Sequence, residues 1–491
     1  MNKILVLLII LALALFACGD NSAQENRDLN QDSQQGVSNI IEQDEPEQRP
    51  ADDLPELDMQ GYNFNIFNFD ESWFTWRNTR ILAEEQIGDI VTDAIYLRQR
   101  QIEERFNCLL TINELDSTTE SLRRNVSAGD NTYQLYSIYD QDFGVLVPYV
   151  LDANLIPYIK VGEKHWNPYP TSLYNFDNKQ LALAGNISLG VVSGAGCMIF
   201  NKDIFRDFFP GEDLYSYVRD NKWTLDNFFA IALTVGTDIN GNGVWDADDL
   251  YGLNSSFKGY VGGLMTGAGI GFTGLDDYGV PVYNLHQNAA ALGLMTRMMD
   301  ALNMPGFHYS EAAEVYDTLP ADFFANGHAL FNTGSAFGVE RLRAMEAEIG
   351  ILPLPKYNEN QDRYFSTTYG NSLWVLPKTL DLGAESDNAG IILEAMSFAG
   401  YYDIIPQYKE VVLKTKTARD DESADMIDII FDSVYFTFDM NILFDAVLQS
   451  SILPALWRDK TSGNIVSLSE RNAPTIDRYI ATFFRAVDAV D

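Results

Sequence analysis

Tyr62-Asn63-Phe64-Asn65-Ile66-Phe67 places apolar and polar residues in near alternation, the period-two pattern of a strand with one face in a core. The next segment, Phe69 to Arg80, reads as a loop. After it, Val91, Ala94, Ile95, Ile102 and Phe106 recur at spacings that put them on one face of a helix. Cys108 to Ile112 reads as a second strand and Tyr133 to Ile138 as a third. Strands alternating with helical segments predict βαβ units, a mainly parallel sheet and an α/β fold class.

The pattern continues towards the carboxyl terminus. Cys197-Met198-Ile199-Phe200 is strand-like, and a helix is expected from Asp203 to Phe209. Lys222-Trp223-Thr224 opens another helix with Thr224 at the cap position, and Leu225, Phe228, Phe229, Ala232 and Leu233 form its apolar stripe. Asp276-Asp277-Tyr278-Gly279 reads as a hairpin turn with Pro281-Val282-Tyr283 as the return strand. Helical periodicity covers 288–301. Strands are expected at Ala329–Asn332, Ile349–Leu354 and Ser372–Leu376, and the last third is helical. Ile476, Tyr479, Ile480, Phe483, Phe484 and Val487 form an amphipathic closing helix, expected to begin after Pro474.

With 491 residues the chain has room for two or more domains and a large core. Its formal charge of −37 excludes the basic surface on which nucleic-acid binding depends, and equally a charge-driven dock on anionic lipid. At the amino terminus Lys3 precedes an apolar run from Ile4 to Phe16, too short for a transmembrane span and of the length of a signal-peptide core. Leu15-Phe16-Ala17-Cys18 resembles a bacterial lipobox, which implies a signal peptide at 1–17 and lipidation of Cys18. Residues 19–58 have no aromatic residue, and their twelve acidic residues face only Arg27 and Arg49. We therefore read 18–58 as a lipidated cysteine and a disordered acidic tether, holding the body at the extracellular face of the cell membrane. Cys108 and Cys197 lie in apolar runs and are expected as free thiols.

One loop carries metal chemistry. In Thr237–Leu250, Asp238, Asn240, Asn242, Gly243, Asp246 and Asp249 fall at positions 1, 3, 5, 6, 9 and 12 of an EF-hand-type calcium loop, with the Val244 carbonyl at position 7. Oxygen atoms at alternate positions let a turning backbone wrap a hard cation, and the glycine permits the bend. A clear helix enters this loop, but Tyr251-Gly252-Leu253 leaves it without one, so Ca2+ is expected as a structural clip and not as a switch.

Several segments, in order, resemble the extracellular solute-binding lipoproteins of ABC importers, the family that includes maltose-type binding proteins. They are Asp89, Asp93-Ala94 and Tyr96 with Glu103-Glu104-Arg105-Phe106-Asn107; Phe200-Asn201-Lys202-Asp203; Lys222-Trp223-Thr224 with the Asp/Asn/Gly loop and Tyr251-Gly252-Leu253; Gly350 to Lys356; and Arg419 to Ser423 with Met426-Ile427-Asp428. The resemblance implies a two-lobed type II periplasmic-binding-protein fold with hinge strands and a central ligand cleft. Lobe 1 would hold 59–196 and 326–371, and lobe 2 would hold 197–325 and 372–491. It also implies a monomeric receptor, not an enzyme, that passes a small solute to ABC permease subunits. A carbohydrate is the expected solute.

A sugar site needs aromatic faces and polar partners for hydroxyls. The loop after the first strand offers Asp70, Trp73, Trp76 and Arg77, and the loop after the third offers Tyr139, Asp140 and Asp142. Trp374 and Tyr260 are further candidates, with core packing as the alternative for each aromatic. Catalytic motifs are lacking: His165, His286, His308 and His328 are scattered, and there is no HExxH, G-x-S-x-G or P-loop. A tethered glycosidase, which needs two carboxylates about 5–10 Å apart across a groove, and a calcium-dependent adhesion module remain the alternatives.

Overall fold

The computed structural model describes residues 49–69, 79–115, 117–277, 279–309, 321–342, 345–368, 372–413, 421–459 and 462–490. The signal segment, Cys18 and most of the expected tether lie outside them. The body begins by Ala51, earlier than the expected boundary at 58. Leu54 and Met59 are buried, and the Arg105 guanidinium donates to the Leu54 carbonyl while pairing with Asp52. A short acidic segment is retained because its leucine finds a core and its carboxylate finds an arginine.

Among the described residues, two four-stranded sheets organise the body. In the first, β1 (Tyr62–Phe69) lies between β2 (Cys108–Leu115) and β3 (Leu135–Tyr139), both parallel to it, with Tyr62 opposite Cys108 and Phe69 opposite Leu115. Phe64, Ile66 and Phe67 on β1 are fully buried. The crossover helix Ile90–Phe106 starts at Asp89, whose carboxylate accepts the Thr92 N–H, and stops where Asn107 turns left-handed at φ 49°. Its buried Arg98 donates to the carbonyls of Ile81, Ile187 and Met396, binding three segments into one layer.

The second sheet contains β4 (Gly196–Asn201), β5 (Tyr251–Asn254), β8 (Ala329–Ser335) and β9 (Ile349–Leu352), in the order β9-β4-β8-β5. A separate hairpin is formed by β6 (Thr273–Leu275) and β7 (Pro281–Tyr283), its turn closed by the Gly279 N–H on the Asp276 carbonyl. β5 and β8 are parallel, but β4 runs against both of its neighbours, so this sheet is mixed where parallel pairing was expected. The last strand, β10 (Ser372–Val375), returns to the first sheet and pairs antiparallel with β3, Trp374 opposite Ser137.

This membership corrects the expected division of the chain. Strands within 326–371 join the second sheet, and the strand opening 372–491 joins the first. The apolar runs at Ala329 and Ile349 mark strands, but an apolar run carries no information on which of two sheets receives it. Where the chain passes between sheets, its segments lie side by side: Ala195 bridges Thr368, the Gly196 N–H reaches the Thr367 carbonyl, and Ser366 bridges Val434. These crossings are where the chain passes from one sheet to the other. The closing helix runs Ile465–Asp488 and contains Pro474, which was expected at its start. Among the described residues no helix is long and apolar enough to cross a membrane.

Candidate ligand site

Ligands of open α/β sheets sit beyond the carboxyl ends of the strands. In the first sheet β1 leads into residues 70–78, so Asp70, Trp73, Trp76 and Arg77 lie outside the described residues. β3 ends at Tyr139, whose ring meets Phe69 edge-on at 5.0 Å. Asp140 follows, only 3% exposed; one carboxylate oxygen accepts the Gln141 N–H and the other accepts the Asn441 amide at 3.3 Å. Burial and the nearby Asp140 charge both push the Tyr174 phenol well up. Ser372 faces Tyr139 from β10, with its hydroxyl oxygen buried and unpartnered. Asp142 is half-buried and held by the Thr119 hydroxyl at 2.7 Å; burial raises its carboxyl, and that hydrogen bond opposes the rise. Tyr139, Asp140 and Ser372 therefore meet at one strand end, with Asp142 tied to the helix Thr118–Ala128 that precedes β3.

Two sequence candidates are core residues. Tyr260 is fully buried, its hydroxyl donating to the Met298 carbonyl at 3.0 Å and its ring against Phe307. Trp374 is 1% exposed within β10, and its Nε1 donates to the Gly185 carbonyl at 3.3 Å. Both rings complete apolar layers, the alternative open to any aromatic near a sheet.

At the matching end of the second sheet the structure gathers residues that sequence reading passed over. Asn254 sits opposite Asn332 in the parallel β5–β8 register and donates to its side-chain oxygen at 2.7 Å. The other side-chain oxygen of this amide pair, Asn254 Oδ1, is buried without a protein partner. The hydroxyls of Ser255 and Thr333 share a hydrogen bond. His308 Nε2 meets the Ser255 carbonyl at 2.8 Å, so that nitrogen carries the hydrogen, and Trp457 lies edge-on to the imidazole at 6.0 Å. Ser256 then caps the helix Phe257–Gly267 by accepting the Gly259 N–H. The signal was available: the rule that ligands lie beyond strand ends points to Asn254-Ser255-Ser256 once β5 is placed. An amide, hydroxyls, an imidazole and an indole edge together match the needs of a polyhydroxylated ligand.

The Asp238–Asp249 loop joins the helix Leu225–Val235 to β5, and Thr237 bridges Leu250 across its neck. Asp238 accepts the N–H groups of Gly241 and Gly243, Asn240 accepts that of Asn242, and Asn242 accepts that of Val244. Asp249 is fully buried and accepts the N–H groups of Ile239 and Asp246. Two amide donors do not neutralise a buried carboxylate, so the donor chemistry fits a hard cation. Among the described residues no three His, Cys, Asp or Glu side chains group so as to hold a metal. An ion here would therefore depend on amide and carbonyl oxygens as much as on carboxylates.

The assembled fold is shared with solved sugar-binding proteins. Maltose-bound MalE3 of T. maritima superposes with a TM-score of 0.52 at 15% identity, covering 85% of this chain and 100% of that one. A cyclo/maltodextrin-binding protein complexed with maltotetraose gives 0.51 at 12% identity, covering 87% of this chain and 97% of its own. Similarity at this level establishes the two-lobed periplasmic-binding-protein fold. No protein-family model and no curated protein matches the sequence.

Proposed function

We propose that the protein is a lipid-anchored extracellular receptor that captures a carbohydrate between its lobes and delivers it to an ABC importer. The observation that carries this reading is the pair of polar strand ends, Tyr139-Asp140-Ser372 and Asn254-Ser255-Asn332 with His308 and Trp457, on a fold shared with proteins solved around maltose and maltotetraose. Ligand that touches both ends stabilises the closed lobes over the open ones, and the difference in affinity for the two states drives closure. Asp140, Asn254 and Asn332 would hold hydroxyls, while Trp457 and Tyr139 would line sugar C–H surfaces. No catalytic step is assigned.

In the same reading Cys18 carries the lipid and Ca2+ rests on Asp238, Asn240, Asn242, the Val244 carbonyl, Asp246 and Asp249. The ion would supply positive charge to the buried Asp249 and brace the start of β5. The receptor reading is tested by thermal unfolding with maltose, maltotetraose and unrelated solutes. A ligand at 100 times its dissociation constant adds about 2.7 kcal/mol. A melt shifted by another solute class and by no saccharide sinks the sugar assignment.

A further inference from the structure

Beside the crossings between the sheets, an arginine of one lobe is stacked between aromatic rings of both. Arg363 lies 4.9 Å from the centre of the Tyr169 ring and 5.2 Å from that of Phe365. Phe365 in turn packs against Tyr435 at 5.4 Å. Tyr169 belongs to the first lobe. Its short helix, Pro168–Ser172, follows Trp166, whose indole N–H is held by Glu394, and precedes Leu183, which bridges Trp374 of the first sheet.

Arg363 belongs to the second lobe. It follows β9 in a segment built around Gln361, whose amide donates to the carbonyls of Gly267 and Arg363 and whose own carbonyl accepts Lys356 Nζ. The Lys356 N–H in turn reaches the Trp223 carbonyl. Each partner is thus fixed to its own lobe, and the stack spans the joint between them.

The exposures say what the stack does. Tyr169 is 54% exposed and Tyr435 37%, so neither ring is placed by core packing. Asp432 lies within electrostatic range of Arg363, and also of Lys164 in the first lobe and Lys409. A guanidinium between two rings, with a carboxylate nearby, is a favourable contact that exists only while the lobes keep this spacing. The polar strand ends are shut away from solvent in the same arrangement, with Asn254, Ser255, Asp140 and Ser372 all buried.

We infer that Arg363 is an inter-lobe latch that favours closure and so sets ligand affinity without touching ligand. This rests on the receptor reading only for its consequence for affinity; the latch itself concerns the unliganded lobes. A cation over a ring at a partly exposed site is worth a factor of roughly two to five.

The test compares the full mature chain with Arg363→Ala, Tyr169→Ala and Tyr169→Phe, using small-angle scattering without ligand and maltotetraose titration calorimetry. Arg363→Ala and Tyr169→Ala are expected to enlarge the radius of gyration and weaken maltotetraose binding about fivefold. Tyr169→Phe, which keeps the ring, is expected to match the parent in both. Unchanged scattering in both alanine variants overturns the latch, as does tighter binding by either or alanine-like behaviour of Tyr169→Phe. If the parent chain ignores maltotetraose, the sugar reading fails while scattering still decides the latch.

Discussion

The Asn441 side-chain amide donates to a carboxylate oxygen of Asp140 at 3.3 Å, joining residues 301 positions apart. Two residues before Asn441, the Asp439 carboxylate accepts the backbone N–H groups of Phe272 and Thr273, beside the β6–β7 hairpin. One turn of chain is therefore fastened at one end to the strand end of the first sheet and at the other to the β6–β7 hairpin. Asn441→Ala removes a donor from a buried carboxylate and should cost about 1–3 kcal/mol. Urea unfolding midpoints check this, and a midpoint equal to that of the parent refutes the role.

Asp439 should make stability depend on pH. Burial raises its carboxyl to about 6, against the partial opposition of hydrogen bonds from Phe272 and Thr273. The folded state then holds this proton between about pH 4 and pH 6, where the unfolded chain has released it. Stability from this group falls as pH rises through that window, by ~3 kcal/mol in all, and is constant above it. Asp439→Asn should flatten the slope, read as the parent-minus-variant difference in unfolding free energy from pH 4 to 7. A difference that does not vary with pH disproves the assignment.

Calcium should act on stability alone. Chelation is expected to lower the melting temperature of the parent chain and to leave Asp238→Ala unmoved, because that variant lacks the first of the proposed ligands. A parent melt insensitive to chelator removes the clip.

Trp374 offers a contrast between packing and recognition. Trp374→Ala should destabilise by about 3–5 kcal/mol through the cavity it leaves. Trp374→Phe should cost less and leave saccharide affinity unaltered, since the indole faces Gly185 and the core. Lost affinity at full stability would return this residue to the ligand site.

Gly252 is held by contact, not by conformation. A Cβ there would come within 2.1 Å of the Ala232 carbonyl oxygen on the helix covering β5. Gly252→Ala should therefore cost about 3 kcal/mol or more, since backbone must move. Thermal unfolding checks it, and a shift under a degree would mean the helix adapts freely.

The elements were largely legible because each follows from local pattern. The alternation at Tyr62–Phe67 and the spacing of Val91 to Phe106 specify a strand and a helix wherever they end up. What local pattern does not hold is partnership. Ala329–Ser335 and Ser372–Val375 changed sheets relative to expectation because an apolar strand fits any buried edge. Among the candidate residues, the position of Asp140 directly after a strand was legible. His308 was not: it reaches the Ser255 carbonyl 53 residues away, and nothing near it in sequence marks that meeting. Tyr260 and Trp374 stayed open between core and cleft for the converse reason, since a large ring in an apolar run reads alike in either.

The placement of β10 on β3 has a consequence for the order in which the protein is made. The first sheet has three of its four strands by Tyr139, but its edge beside β3 stays bare until Ser372–Val375 is synthesised. At 5–20 residues per second that interval is about 12–47 s. Through it β3 presents unpaired backbone groups, a ready template for the wrong strand. The second sheet, whose strands fall between Gly196 and Leu352, is complete before the first one closes. The lobe begun first is therefore finished last, and chaperone protection of the nascent chain matters most while that edge is open.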